Sequence, residues 1–454
     1  MSSERRLVLS SSLWPMGFHH AAWRLPGANA HGGIDAKFLQ RHAQMLEHAK
    51  FDYVFIGDFV VCDEAQRYQD LGGVLRAEAI TLASNLAAVT ERIGIAPTVN
   101  LTYAHPYTIA RSVGTLDHLS DGRALLNVVT GSTPKAAGNY GRDHHWENEQ
   151  RYDWADEFVE SLRQLWDSWE DDALIADKER GEFVDWEKVH KIDYKGKVIS
   201  VTGPLNVKRP VQGQIPLLNA GTSDRSRELG ARFSDLRFVS ESNFSIAQRN
   251  YKDLKSRLAR HGRSENAQLV SPGLAVFGGE TRREAQQLYN HLQTLVLVPS
   301  NLQALGWKLG MDLSSRSDED RVSSVPELAS NPAAIAEVAF AQRNYGEEDP
   351  TLRQLFVSSI RMGGHGAVVG SVKDIADHIE EWFVERAADG FNLFPPYHPG
   401  CMEFVVERLV PELQRRGIFQ KEYGPGTVRE RLGLPPAENQ FAQQRSAAQA
   451  VTPV

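Results

Sequence analysis

Two stretches of this sequence end an apolar run in glycine and hydroxyl residues. Strand end, polar loop and helix start is the form of a ligand site in α/β proteins. The first is N-V-V-T-G-S-T-P-K-A-A-G-N-Y-G from Asn127, where an apolar run over Ala124–Val129 leads into Thr130, Gly131, Ser132 and Thr133. The second is I-P-L-L-N-A-G-T-S-D over Ile215–Asp224, leading into Ala220, Gly221, Thr222 and Ser223 at a helix start. Glycine lets backbone approach a ligand closely, and a helix N-terminus offers free N–H groups to an anion. Without a ligand, Ser223 reads as a plain helix N-cap. After the first stretch, R-Y-D-W-A-D-E-F opens a helix at Tyr152, with Arg151 beside it.

The elements that must position these residues alternate. Candidate strands are Leu7–Ser11, Tyr53–Gly57, Ile93–Pro97, Ala124–Val129, Ile215–Asn219, Leu236–Ser240, Leu269–Phe277 and Phe391–Phe394. Candidate helices are Asp35–Ala49, Arg76–Thr90, Pro106–Leu119, Tyr152–Trp169, Ser223–Ala231, Ser245–His261, Thr281–Leu295 and Val372–Ala388. Strands alternating with amphipathic helices imply parallel βα units. Eight of them fit an α/β fold of the TIM (β/α)8 barrel type better than an open sheet, whose first turn would carry a G-x-G-x-x-G that is missing here. Insertions are expected after strand 4 (about 173–213, with a hairpin over Val189–Val201) and after strand 7 (about 298–369, a candidate lid). The expected organisation is a single domain over 1–434 with a loose tail over 435–454, rich in Gln, Ala and Pro.

In such a barrel the site gathers the residues just past the C-terminal end of each strand. After strand 1 come Trp14, Phe18, His19 and His20, and a histidine there can move a proton near neutral pH. Asp58 comes after strand 2, and Thr102, Tyr103 and His105 come after strand 3. Thr130 and Ser132 lie past strand 4, Gly221 and Ser223 past strand 5, and His398 past strand 8. Each has a plainer reading: paired structural histidines, a turn carboxylate at Asp58, a helix cap at His398. Trp14, Phe18, Phe55 and Tyr103 are candidate apolar walls.

Composition excludes several classes. The net charge of −8, with both signs interspersed, argues against a nucleic-acid surface or an acidic-membrane binder. Two distant cysteines, Cys62 and Cys401, give neither a disulfide framework nor zinc spacing, which favours a reducing cytoplasm. No secretory segment is expected, and no apolar run approaches the roughly 20 residues that span a bilayer. The adjacent pairs His19–His20 and His144–His145 lack the i, i+4 spacing of a zinc helix, so no metal is expected and His144 and His145 read as loop residues. The absence of G-x-S-x-G leaves an α/β-hydrolase without support.

In order and spacing, these motifs resemble the bacterial-luciferase-like flavin monooxygenases, in the branch of the nitrilotriacetate, EDTA and dibenzothiophene-sulfone monooxygenases. That branch shows N-x-V-T-S-x-N-x-x-A-A-R-N-F-G, then R-Y-x-x-A-x-E-F, then Q-A-G-x-S-x-x-G. The likeness includes G-F-H-H-A-A-W-R at Gly17–Arg24 and runs to Leu434. It implies a two-component enzyme that uses reduced FMN, supplied by a separate NADH:flavin oxidoreductase, and O2 to oxidise a small organic substrate with C–N or C–S cleavage. It also implies a homodimer or homotetramer. Carried over by position, Asp58, Thr102, Thr130, Ser132, Tyr152, Gly221 and Ser223 hold the cofactor, and His20, Tyr103 and His105 face the reaction. The chain departs from the pattern at Gly131 (usually Ser), Gly138 (usually Arg) and Ser226 (usually Gly). Room at Gly131 keeps open a riboflavin-cleaving lyase of the same branch. A deazaflavin-dependent dehydrogenase and a non-enzymatic flavin-binding barrel are the other readings.

Overall fold

The computed structural model describes residues 5–62, 74–298, 302–360 and 365–451. Eight parallel strands close a barrel: β1 (Val8–Ser12), β2 (Tyr53–Ile56), β3 (Gly94–Asn100), β4 (Leu126–Val129), β5 (Leu217–Asn219), β6 (Leu236–Val239), β7 (Leu269–Gly279) and β8 (Gly390–Phe394). Closure is direct, since β8 pairs with β1 in the register Val8↔Gly390 and Ser10↔Asn392. Helices pack outside: α1 (Ala36–His48), α2 (Ala79–Ala87), α3 (Pro106–Leu119), α4 (Asn148–Asp167), α5 (Asp224–Phe233), α6 (Phe244–Leu258), α7 (Arg282–Thr294) and α8 (Val372–Val384). This is the TIM barrel anticipated from the alternation.

Period-two patterning sorts the strands. Leu7 and Leu9 pack outward in the main core with α1 residues Leu39 and Leu46, while Val8 joins an inner cluster with Tyr53, Ala96, Leu125, Leu218 and Leu236. Val428, Leu432 and Leu434, from the segment that ends the resemblance, belong to that inner cluster and plug the N-terminal end of the barrel. The C-terminal end is left for the site.

Boundaries differ from expectation where capping decides them. The fourth helix starts at Asn148 rather than Tyr152, because Glu147 and Gln150 form a capping box, so Tyr152 sits one turn inside the helix and is buried. The segment between α4 and β5 holds two hairpins, Leu174–Asp177 with Glu182–Val184 and the anticipated one, Tyr194–Lys195 with Ser200–Val201. The insertion after α7 is more ordered than its composition suggests. It carries helices at Gln303–Leu309, Pro332–Tyr345 and Leu352–Ser359 and its own core around Leu305, Leu328, Leu355 and Phe356; residues 299–301 and 361–364 of the expected lid lie outside the described residues. The tail, expected to be loose, is helical over Gln440–Val451 and is pinned by Asn439 Nδ2, which donates to the carbonyls of Asp167 (2.9 Å) and Trp169 (2.8 Å).

Candidate active site

One end of the candidate site is built on β5, β6 and α5. Ser223 caps α5 by accepting from the Ser226 amide at 3.2 Å, so the plain reading of this serine is realised and its hydroxyl proton stays available to a ligand. Gly221 has φ +119°, and a Cβ there would lie 2.6 Å from Ser226 Oγ and 3.5 Å from the Tyr152 hydroxyl. Only glycine therefore keeps this turn open, with Tyr152 at its edge. Asp224 turns away and pairs with Arg257 at 2.7 Å, which removes its carboxylate from the cradle.

Beneath the turn sits a residue the sequence reading missed. Arg237, on β6, is 1% exposed and donates through Nη1 to Asn219 Oδ1 (2.7 Å) and the Ser226 carbonyl (2.8 Å), and through Nη2 to Ser226 Oγ (3.1 Å) and the Gly221 carbonyl. Burial pulls its pKa down to about 10, which leaves it charged at neutral pH. No carboxylate among the described residues pairs with it. A buried, uncompensated guanidinium is costly unless an anion completes it. These residues fit a phosphate. The signal was a lone arginine inside the apolar run L-R-F-V.

At the ends of β3 and β4, Thr102 is fully buried and donates to the Thr130 carbonyl at 2.6 Å, so these two candidates meet directly. Gly131 has φ +67°, and a Cβ there would lie 2.4 Å from Asn100 Nδ2. The space opposite Gly131 is thus filled by Asn100, and the expectation of room for a bulky ligand is overturned. Gly138, by contrast, faces open space. Ser132 is exposed on the rim. The Tyr103 hydroxyl lies 2.6 Å from His145 Nδ1, and its ring stacks on Tyr140 at 4.3 Å. His145, read as a loop residue from sequence, is therefore part of the site.

The opposite wall is aromatic. Phe18 lies 4.7 Å from Trp14 and 4.6 Å from Phe394, and Phe394 stacks on His365 at 4.5 Å. Phe238 links this group to Phe55 at 6.0 Å. Trp14, Phe18 and Phe55 thus belong to one aromatic group, joined by three rings the sequence did not single out. His365 is held neutral, its pKa pushed down to about 4 by burial. Asp58 is half-buried near Arg76 and Glu78, and its pKa is raised by burial and then by Glu78.

The histidines divide. His20 is half-buried in the loop after β1. His19 is buried, accepts from the Ala21 amide at 3.2 Å and contacts Gln293 at 3.1 Å, as a structural residue would. His398 is buried against the Trp14 carbonyl at 3.1 Å. His105, expected at the reaction, caps α3 by accepting from the Tyr107 amide at 3.3 Å and is exposed. Proline at the first helical position places the residue before it at the cap, and this accounts for His105.

The luciferase-like monooxygenase family profile matches residues 16–390, and the chain belongs to that family. It is 37% identical over 443 residues to the N-acetyl-S-(2-succino)cysteine monooxygenase of Bacillus subtilis (strain 168), covering 97% of this chain and all (100%) of that one. It is also 37% identical over 454 residues to nitrilotriacetate monooxygenase component A of Aminobacter aminovorans, covering 98% and 100%. The crystal structure of DmoA from Hyphomicrobium sulfonivorans superposes with a TM-score of 0.85 at 28% identity, over 99% of each chain. The chain is therefore an enzyme of the monooxygenase class, in a family whose members are flavin-dependent. No described helix is long and apolar enough to cross a membrane.

Proposed function

We propose that this chain is the oxygenase component of a two-component system. It takes reduced FMN from a separate NADH:flavin oxidoreductase and, with O2, oxidises a small organic molecule at a carbon beside nitrogen or sulfur, with loss of that C–N or C–S bond. The observation that carries the reading is Arg237, buried beneath the Gly221 turn and paired with no carboxylate among the described residues, at the mouth of a barrel of this family. Support for the substrate class comes from relatives whose names specify nitrilotriacetate and a succinocysteine, and support for the two-component organisation from the designation "component A".

Bound there in reduced form, FMN would supply the electrons that let O2 deliver one oxygen atom to the substrate. The Tyr152 hydroxyl, the Ser223 hydroxyl and the free amides at the start of α5 would hold its phosphate, with Arg237 as counter-charge. Thr102 and Thr130, fixed on each other, would flank the ring system together with Asp58, and Ser132 would reach the chain between ring and phosphate. The walls of Trp14, Phe18, Phe238 and Phe394 exclude water, which an oxygen-activating site requires. Tyr103 and His20 would move protons, and the exposed His105 would stay on the rim.

The test mixes the protein with FMN, NADH, O2 and a flavin reductase in trans, and follows a panel of amines, thioethers and sulfones for substrate-dependent NADH use and bond-cleavage products. FMN binding with turnover of at least one panel member is expected. A protein that ignores FMN and binds only deazaflavin would end this reading.

A further inference from the structure

The segment from the loop after β4 into the first turn of α4 carries two arginines, Arg142 and Arg151, that no carboxylate among the described residues neutralises. Arg142 Nη2 donates to the Thr102 carbonyl at 2.8 Å, and its guanidinium lies over the Trp146 ring at 3.8 Å and the Tyr103 ring at 5.1 Å. Its Nη1 is buried without a hydrogen-bond partner. Arg151 Nη1 donates to the Gly131 carbonyl and Nη2 to Asn148 Oδ1 at 3.3 Å, while its Nε is likewise buried and unpartnered. Neither arginine has an ion pair among the described residues, although surface arginines of this chain commonly have one. Buried N–H groups are almost always satisfied, so orphaned donors on two neighbouring cations mark a missing acceptor.

The surroundings define what that acceptor is. The Tyr103–His145 pair lies beside them, and both guanidinium groups act electrostatically on each of its members. Burial, and then Arg151 and Arg142, push the His145 pKa down, so this histidine adds no charge of its own at neutral pH. The nearest carboxylates do not fill the role. Among the described residues, Glu147 is engaged as the N-cap of α4, Asp58 lies near Arg76 and Glu78, and Asp143 is exposed. The phosphate has its own counter-charge in Arg237, on β6. A ligand group between β3 and β4 must therefore be a second anion, planar enough for guanidinium edges, next to aromatic walls.

We propose that Arg142 and Arg151, beside the Tyr103–His145 pair, form a subsite that binds a carboxylate of the organic substrate. The inference rests on the oxygenase reading and narrows its substrate to carboxylate-bearing amines or thioethers. Arg142 stacks on Tyr103 and Trp146, so its charge is presented at a fixed angle, and the carboxylate anchors the substrate while its apolar part lies toward Phe18 and Phe394. Arg142 and Arg151 act in binding and orientation, not in bond making.

Succinate and its uncharged dimethyl ester, titrated calorimetrically into the FMN-loaded enzyme, provide the test. Succinate binds and the ester does not. Arg142→Met weakens succinate about tenfold or more, as expected for a lost charged hydrogen bond. Arg142→Lys recovers part of that loss, and in both variants FMN and riboflavin bind as in the wild type. Should a variant fail to fold, phenylglyoxal labelling of the wild type, mapped by mass spectrometry, decides the matter, with succinate protecting both arginines. Equal binding of succinate and ester, or no protection, overturns the subsite while leaving FMN binding intact. Variants that lose FMN but keep riboflavin overturn it too, by giving both arginines to the phosphate. A wild type that binds no FMN sinks the oxygenase reading itself.

Discussion

The two ends of the barrel handle charge in opposite ways. At the N-terminal end, the aspartate before each of three strands accepts the backbone N–H of the neighbouring strand and also meets a cation. Asp52 takes the Leu9 amide (2.8 Å) and Arg6 (2.7 Å); Asp235 takes the Leu217 amide (2.9 Å) and Arg429 (3.1 Å); Asp389 takes the Val270 amide (2.9 Å), Lys255 (2.9 Å) and Arg5 (3.3 Å). At the C-terminal end, Arg237, Arg142 and Arg151 have no carboxylate partner among the described residues, and His19, His42, His365 and His398 are held neutral, with pKa values pushed down to about 4, 3, 4 and 4, chiefly by burial. One end is electrostatically complete and holds the barrel shut. The other is incomplete in the way a binding site must be before its ligands arrive.

The sharpest break in this contrast is expected at the completed end. Asp389→Ala leaves Lys255 and Arg5 without their partner and the Val270 amide unsatisfied, so unfolding free energy should drop by about 3–5 kcal/mol in denaturant titration, with FMN affinity of the folded protein unchanged. Arg237→Met reverses the pattern: FMN affinity should fall by about 1.5–3 kcal/mol while riboflavin, which has no phosphate, is little affected, as fluorescence titration would show.

Acid should reach the ligand end first. The folded pKa values of its histidines are depressed below the unfolded value near 6.5, so between about pH 6.5 and 4 the unfolded chain binds more protons. Their contribution is complete above about pH 6.5 and is lost as pH falls through about 4. His365→Leu should recover about 2 kcal/mol of the loss at pH 5, measured as a flatter pH dependence of the denaturation midpoint. The smallest effect is expected from Gly131→Ser, which restores the residue usual in this branch. The left-handed backbone and the Asn100 contact should destabilise it by about 1–2 kcal/mol, seen as a lower Tm, with no gain in flavin affinity.

What was legible came from local chemistry. The eight strands and helices announce themselves because periods of 2 and 3.6 and capping residues are written along the chain. Gly221, Ser223 and Tyr152 were visible because their types at a strand end and helix start admit few roles. His105 was misjudged because its neighbour Pro106, a local signal for a cap, was outweighed by its place after a strand. Arg237, Arg142 and His145 were not legible at all. Arg237 looks like a polar interruption in a strand, and the other two look like loop.

Sequence alone determined the barrel, its family and the hydroxyl-and-glycine cradle, since these depend on patterns within some twenty residues. Only the tertiary structure decided which charges remain unpaired, because compensation depends on partners brought together by closure of the barrel. Asp389 finds Arg5 across 384 residues, while Arg237 finds no carboxylate among the described residues. That difference is a property of three-dimensional proximity, in which a charge is costly or useful according to what folding has placed beside it.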